Sequence, residues 1–268
     1  MVIQVLSSLE EETRARTLVN LKTEGTFLNV LKGCFVKSFE YAVTCHDDSI
    51  KNSFFFLAPV LRGICEDFIV LRFLQIKRNE EERDEILLNK AKLLIFESVD
   101  KQRKFFEKHR PFQPVFDASL KEPLPKANFP PIRNMAGEVG LDDLYDFMFA
   151  VTSDVVHFNP RIILRNAWGE NEQVFKHSTK NFDLYYQNFC HIYSLYLFCE
   201  FTKAFKLELN LSENYCNSIL ELEHNLNAQL RWPEAVTFEE MNIEGPKEIM
   251  RILIKSMYEC KGSENSDV

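Results

Sequence analysis

The sequence has little glycine and none of the cysteine spacings that indicate a zinc site or a disulfide framework. Only 8 of its 268 residues are glycine, whereas turn-rich β architectures need more. The seven cysteines are an odd number, lie mostly in apolar periodic stretches, and include no Cys-x-x-Cys pair. We therefore expect reduced, buried thiols and a helical fold.

The sequence also lacks the ligand set of a di-iron helical bundle. Such a site uses two Glu-x-x-His pairs and two further glutamates, and this chain has one pair, Glu221 and His224. With half of the ligands missing, a surface pair on an ordinary helix is the better interpretation. We predict neither a metal nor a cofactor.

No apolar run is long enough to cross a membrane. The longest, Phe54 to Leu61, is far below the roughly 20 residues that a membrane-spanning helix needs. The N-terminal segment has a short apolar stretch followed directly by Glu10, Glu11 and Glu12, unlike the basic start and long apolar region of a signal peptide. These features predict a cytoplasmic protein without membrane contact.

The charge balance gives no overall attraction to nucleic acid. Lys and Arg total 32 against 40 Asp and Glu, for a net charge of -8. A local basic patch is compatible with this balance, so RNA is retained as a candidate partner. The 46% hydrophobic and 27% charged residues are typical of an ordinary globular protein, and 24 phenylalanines require a large interior.

The spacing of apolar residues predicts one all-α domain over residues 1–260, with about seven to nine helices, followed by a polar tail over 261–268. The helix from Asn181 to about Leu207 is apolar almost all round, which predicts a central, buried position. The other predicted helices are Phe27 to Ala42, Ile50 to Ile76, Glu80 to His109, Ile132 to Glu138, Leu141 to Phe158, Ser212 to Leu230, Thr237 to Met241 and Pro246 to Cys260.

Two segments between these helices lack a clear helical period. Pro111 to Pro131 holds six of the ten prolines and predicts an extended connector, a length typical of a functional loop or of a cover over a site. Arg161 to His177, which contains Gly169, fits either an irregular loop or a small hairpin.

A charged pair interrupts the apolar helix predicted from Ile50 to Ile76. Arg62 and Glu66 are four residues apart and therefore share one helix face, where we expect partial burial. Burial of an unpaired ion costs several kcal/mol, so each group must find a partner. A structural salt bridge and a functional site are equally compatible with this pattern.

A second polar group lies on the helix that ends at Asn159-Pro160. Asp146, Ser153 and His157 follow one stripe at steps of seven and four residues, with Tyr145 and Asp154 nearby. The spacing allows Ser153 to form a hydrogen bond with His157. A hydrolase serine is not indicated, since the sequence has no Gly-x-Ser-x-Gly turn.

These segments resemble an uncharacterised, mostly bacterial, all-helical family catalogued as a domain of unknown function. In that family an Arg-x-x-x-Glu helix precedes a pattern of Met-Ala, Gly-Leu, Tyr, Ser and His. The resemblance covers about residues 25 to 205 and implies no established reaction. The matching residues here are Arg62, Glu66, Met135, Ala136, Gly140, Leu141, Tyr145, Ser153 and His157.

The segment that ends at His157 also resembles, more distantly, the HEPN helical ribonucleases. Their active helix carries an Arg a few positions before the His, but this chain has Ala150 to Thr152 in that window. A nuclease would therefore need Arg62 or Arg161 to supply the charge. The spacing does recur between Arg103 and His109, where we interpret it as a chance match at a basic helix end.

Three functions follow as hypotheses. We favour a cytosolic bacterial protein whose polar pocket binds a small polar ligand or a protein partner, with a role in phage defence or stress implied by resemblance alone. The alternatives are a metal-independent ribonuclease and a structural subunit of a homo-oligomer. We expect the site residues to converge and the His157 ring to be buried against Glu66 or Tyr145. The candidate residues are His157 and Arg62 for catalysis, and Glu66, Tyr145, Ser153 and Asp154 for binding.

Overall fold

The computed structural model describes residues 2–20, 22–47, 54–110, 112, 129–160, 162–163, 166 and 177–235. Over these residues the chain forms α-helices and one 3₁₀ helix and has no strand, which confirms the all-α prediction. The helices are α1 Val2–Arg16, α2 Thr26–His46, α3 Phe54–Lys77, α4 Glu80–His109, α5 Ile132–Glu138, α6 Asp142–Val156, the 3₁₀ helix Thr179–Phe182, α7 Asp183–Phe205 and α8 Glu213–Asn227.

Most helices lie where the apolar spacing predicts them. Helices α4 and α5 have the predicted ends, whereas α1 was not predicted and α2 continues to His46, because buried Cys45 extends its core face. Several predictions lie outside the described residues: most of the 111–131 connector, most of the segment 161–177, and the helices and tail beyond 235. At the start of 161–177 the described Ile162, Ile163 and Asn166 are helical and not part of a loop or hairpin.

Helix α7 occupies the centre of the bundle, as its all-round apolar sequence predicts. It packs against α2, α3 and α8, and twelve of its 23 residues are buried. Aromatic rings fill the contacts: Phe198 lies 5.7 Å from Phe35 of α2, and Phe201 lies 5.7 Å from Phe68 of α3, measured between centroids. Many of the phenylalanine side chains are thereby buried along the axis of α7.

Helix α1 is attached to α8 by buried and half-buried polar contacts. The Ser212 hydroxyl and N–H, which begin α8, donate to the two carboxylate oxygens of Glu12 at 2.6 and 2.7 Å. One turn along, the hydroxyls of Thr13 and Tyr215 lie 2.8 Å apart and are buried. These contacts join the first and last described helices.

The turn between α5 and α6 sets the position of α6 on α3. Met135 and Ala136 are fully buried, and α5 packs on α3 through them. The Leu141 N–H donates to the Ala136 carbonyl at 2.9 Å, and Gly140 has a φ of 71°, which together form a Schellman C-cap. Glycine adopts this left-handed conformation without a Cβ clash, so the chain reverses sharply into α6.

None of the described helices is long and apolar enough to span a membrane. The described cysteines are unpaired thiols, four of them buried, in keeping with the expected reduced core residues. Cys260 lies outside the described residues.

Candidate functional site

Arg62 is held by three contacts where α3 meets α6. Its Nε donates to Glu66 Oε1 at 2.8 Å, and its Nη1 donates to Ser153 Oγ at 3.2 Å. The guanidinium carbon also lies 4.3 Å from the centroid of the Phe149 ring, a cation–π distance. With side-chain exposures of 29% for Arg62 and 25% for Glu66, the pair is half-buried and has access to solvent.

Two helical stripes form this site, which we call the α3–α6 groove (Arg62, Glu66, Tyr145, Phe149 and Ser153). On α6, the three groove residues follow at four-residue steps, and on α3 the ion pair has the same spacing. Arg62 contacts Ser153 and Phe149. One turn later on α3, the charge of Glu66 raises the pKa of Tyr145, which lies one turn before Phe149 on α6. The two helices are therefore antiparallel here.

Tyr145 lies beside the carboxylate of the ion pair. Its ring is 5.7 Å from the Phe149 ring, and both are only partly covered. Burial and the negative charge of Glu66 raise the pKa of Tyr145, while the positive charge of Arg62 acts in the opposite direction. The phenol therefore stays protonated at neutral pH and is available as a hydrogen-bond donor.

His157 does not take the buried position that the sequence predicts. It is the exposed C-cap residue of α6, with an extended backbone, and its N–H donates to the Ser153 carbonyl at 2.9 Å. Among the described residues its ring forms no hydrogen bond, either with Glu66 and Tyr145 or with the Ser153 hydroxyl. The helix ends at Val156, earlier than predicted, so His157 lies at the exposed end of the helix and no further turn covers it.

Two acidic residues of α6, the predicted site residue Asp154 and the stripe residue Asp146, have other partners. Asp154 accepts a hydrogen bond from Asn159 Nδ2 at 2.7 Å beyond the end of α6. Asp146 forms an exposed ion pair with Arg133 of α5 at 2.9 Å. Among the described contacts, neither carboxylate touches Arg62, and the binding role of Asp154 stays a prediction.

Phe149 is the groove residue that the sequence analysis did not single out. It is 40% exposed, and one side of its ring is covered by the guanidinium. The sequence does contain a signal for Phe149: it lies four residues from both Tyr145 and Ser153, and therefore on the same face of α6.

The described residues give no support to the other candidate motifs. They contain no group of three or more His, Cys, Asp or Glu side chains able to hold a metal ion. On α4, Arg103 forms ion pairs with Asp100 and Glu107, and the His109 ring lies 4.7 Å from the Phe105 ring. This Arg–His spacing thus belongs to an exposed helix end.

The chain is similar to one family model over the segment that contains the groove. A model described as "Family of unknown function (DUF5677)" matches residues 57–175, a range that includes nearly all of α3 and the whole of α4, α5 and α6. No curated protein and no solved structure matches the chain. The groove therefore lies within the part of the chain that is similar to an uncharacterised domain.

Proposed function

We propose that the α3–α6 groove binds a polypeptide segment of a protein partner. The observation that carries this proposal is the fixed Arg62 guanidinium, which uses two of its five N–H donors within the groove. The remaining donors belong to a half-exposed group whose orientation is already set by Ser153 and Phe149. A ligand that accepts a hydrogen bond there does not have to order the side chain first.

The charge of the groove favours a neutral acceptor over an anion. Glu66 forms an ion pair with Arg62 and offsets its charge, so an incoming phosphate or carboxylate also meets a negative neighbour. A main-chain carbonyl meets no such opposition. Beside it, Phe149 and Val156, 40% and 55% exposed, offer apolar surface to a side chain. A peptide segment presents both kinds of group.

The smallest probe with both features is N-acetylphenylalaninamide. We expect it to shift the NMR signals of Arg62 Nε–H and of the Tyr145 ring in a saturable way. Arg62→Met, which has no Nε–H signal, should abolish the shift of the Tyr145 ring, whereas Arg133→Met, which removes an exposed arginine of α5, should leave the shift of Arg62 Nε–H unchanged. If the probe moves no groove signal in the unaltered chain, the proposal is wrong.

One observation favours a ribonuclease as the second candidate. Its mechanism needs a cation near His157, and Arg62 reaches Ser153, one helical turn before that histidine. In this alternative His157 acts as general acid or base and Arg62 stabilises the negative charge of the phosphorane. In this alternative Arg62 of α3 supplies the arginine that the HEPN resemblance requires and that the helix of His157 lacks.

The two candidates give opposite results with two measurements. A ribonuclease should cleave single-stranded RNA in the presence of a chelator, and His157→Ala and Arg62→Met should each abolish cleavage. In the NMR experiment, inorganic phosphate should then shift the groove signals in place of N-acetylphenylalaninamide. Cleavage that survives in both variants would refute this alternative.

Further parts of the proposal rest on the sequence alone. We infer a cytoplasmic location from the free thiols, and a bacterial source with a role in phage defence or stress from the family resemblance. The hypothesis of a structural subunit in a homo-oligomer also stays a prediction. Sedimentation of the purified chain measures the last of these directly.

A further inference from the structure

A cavity lies away from the groove, between the start of α7 and the segment that follows α8. Its volume is about 430 Å³, within the range of small-molecule sites. The walls include the aromatic rings of Tyr185 and Trp232 and the aliphatic side chains of Leu184 and Ile192. It shares no residue with the α3–α6 groove and lies outside residues 57–175.

Hydrogen bonds fix the aromatic walls in place. The Tyr185 hydroxyl donates to the Glu234 carbonyl at 2.6 Å, and the Tyr193 hydroxyl donates to the Pro233 carbonyl at 2.8 Å. The Trp232 ring packs edge-to-face against Tyr193, with centroids 5.6 Å apart. The polar ends of both tyrosines are thus bound to the protein, and the cavity is formed before any ligand arrives.

The polar groups of the cavity can both donate and accept hydrogen bonds. The side-chain amides of Asn188 and Gln229 line it, and in the described part of the chain neither amide forms a hydrogen bond. Arg231 and Glu234, also in the lining, form an ion pair of 2.7 Å, so neither sign of charge dominates. Among the lining residues that the structure describes, a fully charged ligand finds no unmatched counter-charge, whereas an uncharged edge of donors and acceptors finds both complements.

We propose that this cavity binds a planar, uncharged heteroaromatic ring with donors and acceptors on its edge, of the purine type. The ring stacks on the aromatic wall, and its edge forms hydrogen bonds with Asn188 and Gln229. The same chemistry is presented by a free nucleoside and by a base in single-stranded RNA. The experiment therefore includes both sources.

Trp232 is a built-in reporter for this ligand. The chain has two tryptophans, and Trp168→Phe leaves Trp232 as the single indole. We expect adenosine to quench the Trp232 fluorescence of this variant in a saturable way, while ribose has no effect. Calorimetric titration of the unaltered chain with adenosine should give the same dissociation constant, so the result does not depend on the variant.

Matched asparagine variants test the predicted hydrogen bonds. Asn188 and Asn217 are both exposed helical residues, but Asn217 of α8 does not line the cavity. Asn188→Leu should weaken adenosine binding about tenfold, which corresponds to the loss of one or two hydrogen bonds, and Asn217→Leu should not. If a short oligoadenylate RNA binds more tightly than adenosine, the natural ligand of the cavity is a base of single-stranded RNA and not a free nucleoside. Absence of saturable binding, or equal binding by both asparagine variants, would overturn the proposal.

Discussion

Replacing Arg62 with alanine tests the central geometric feature of the groove. The substitution removes a helical ion pair worth about 0.3 to 0.5 kcal/mol and a hydrogen bond to Ser153 that, being long at 3.2 Å and partly exposed to solvent, is worth about 1 kcal/mol. It also removes the cation–π contact with Phe149, worth about 0.5 to 1 kcal/mol at a partly exposed position. We therefore expect the free energy of unfolding to fall by about 2 kcal/mol.

Urea denaturation followed by circular dichroism measures this loss, and Arg133→Ala is the matched control. Arg133 also forms an ion pair with a carboxylate, but its side chain is 70% exposed and the partner Asp146 is 50% exposed. Exposed pairs of this kind contribute about 0 to 1 kcal/mol. The two arginines thus differ mainly in how firmly the protein holds them.

A double-mutant cycle with Ser153→Ala isolates the contact between the two helices. If the Arg62–Ser153 hydrogen bond exists in solution, the two substitutions should be non-additive by about 0.5 to 1 kcal/mol. Loss of stability no larger than in Arg133→Ala, together with full additivity, would refute the reasoning. The guanidinium would then not be fixed, and the proposed binding site would lose its basis.

Three further predictions concern single positions. His157→Ala should change the free energy of unfolding by less than about 0.5 kcal/mol in urea denaturation, because the exposed ring forms no hydrogen bond among the described residues. Gly140→Ala should lower stability by about 1 kcal/mol in the same assay. The loss comes from the φ of 71°, which a residue with a Cβ rarely adopts, and not from a clash, since no atom lies near the added Cβ. Burial opposes ionisation of Glu12, but hydrogen bonds from Ser212 and the charge of Arg16 outweigh it and lower its pKa. The stability that Glu12 contributes is therefore present above its unfolded pKa of about 4.3 and is lost as the pH falls through the folded value, so wild type and Glu12→Gln should converge in acid.

Helices whose signals are local could be predicted from the sequence. The start of α4 is an example, because Asn79 and Glu82 form a capping box and the first three helix residues, 80–82, are all glutamates. Helix α1 was missed because its buried face depends on a distant partner: the hydroxyl of Thr13 is paired with Tyr215, 202 residues away. Single-residue properties of Thr13 do not indicate that partner.

The candidate site shows the same division between local and distant information. The four-residue spacing of Arg62 and Glu66 is sufficient to predict their ion pair, which the structure contains. The placement of His157 could not be predicted, because it depends on where the last turn of α6 ends. An end at Val156 in place of Phe158 converts a residue on the helix stripe into an exposed cap.

The two proposed sites are separable along the chain, and this separation has a consequence for function. The groove depends on α3, on α6 and on the Schellman turn at Gly140 between α5 and α6, all within or next to residues 57–175. The cavity depends on α7 and on the segment after α8, which lie outside that range. Because the sites share no residue, Arg62→Met should leave adenosine binding at Trp232 unchanged, and Asn188→Leu should leave the groove signals unchanged. Coupling between them would require transmission through the contacts of α7 with α3 and with α6, where the Phe147 and Tyr193 ring centroids lie 5.3 Å apart.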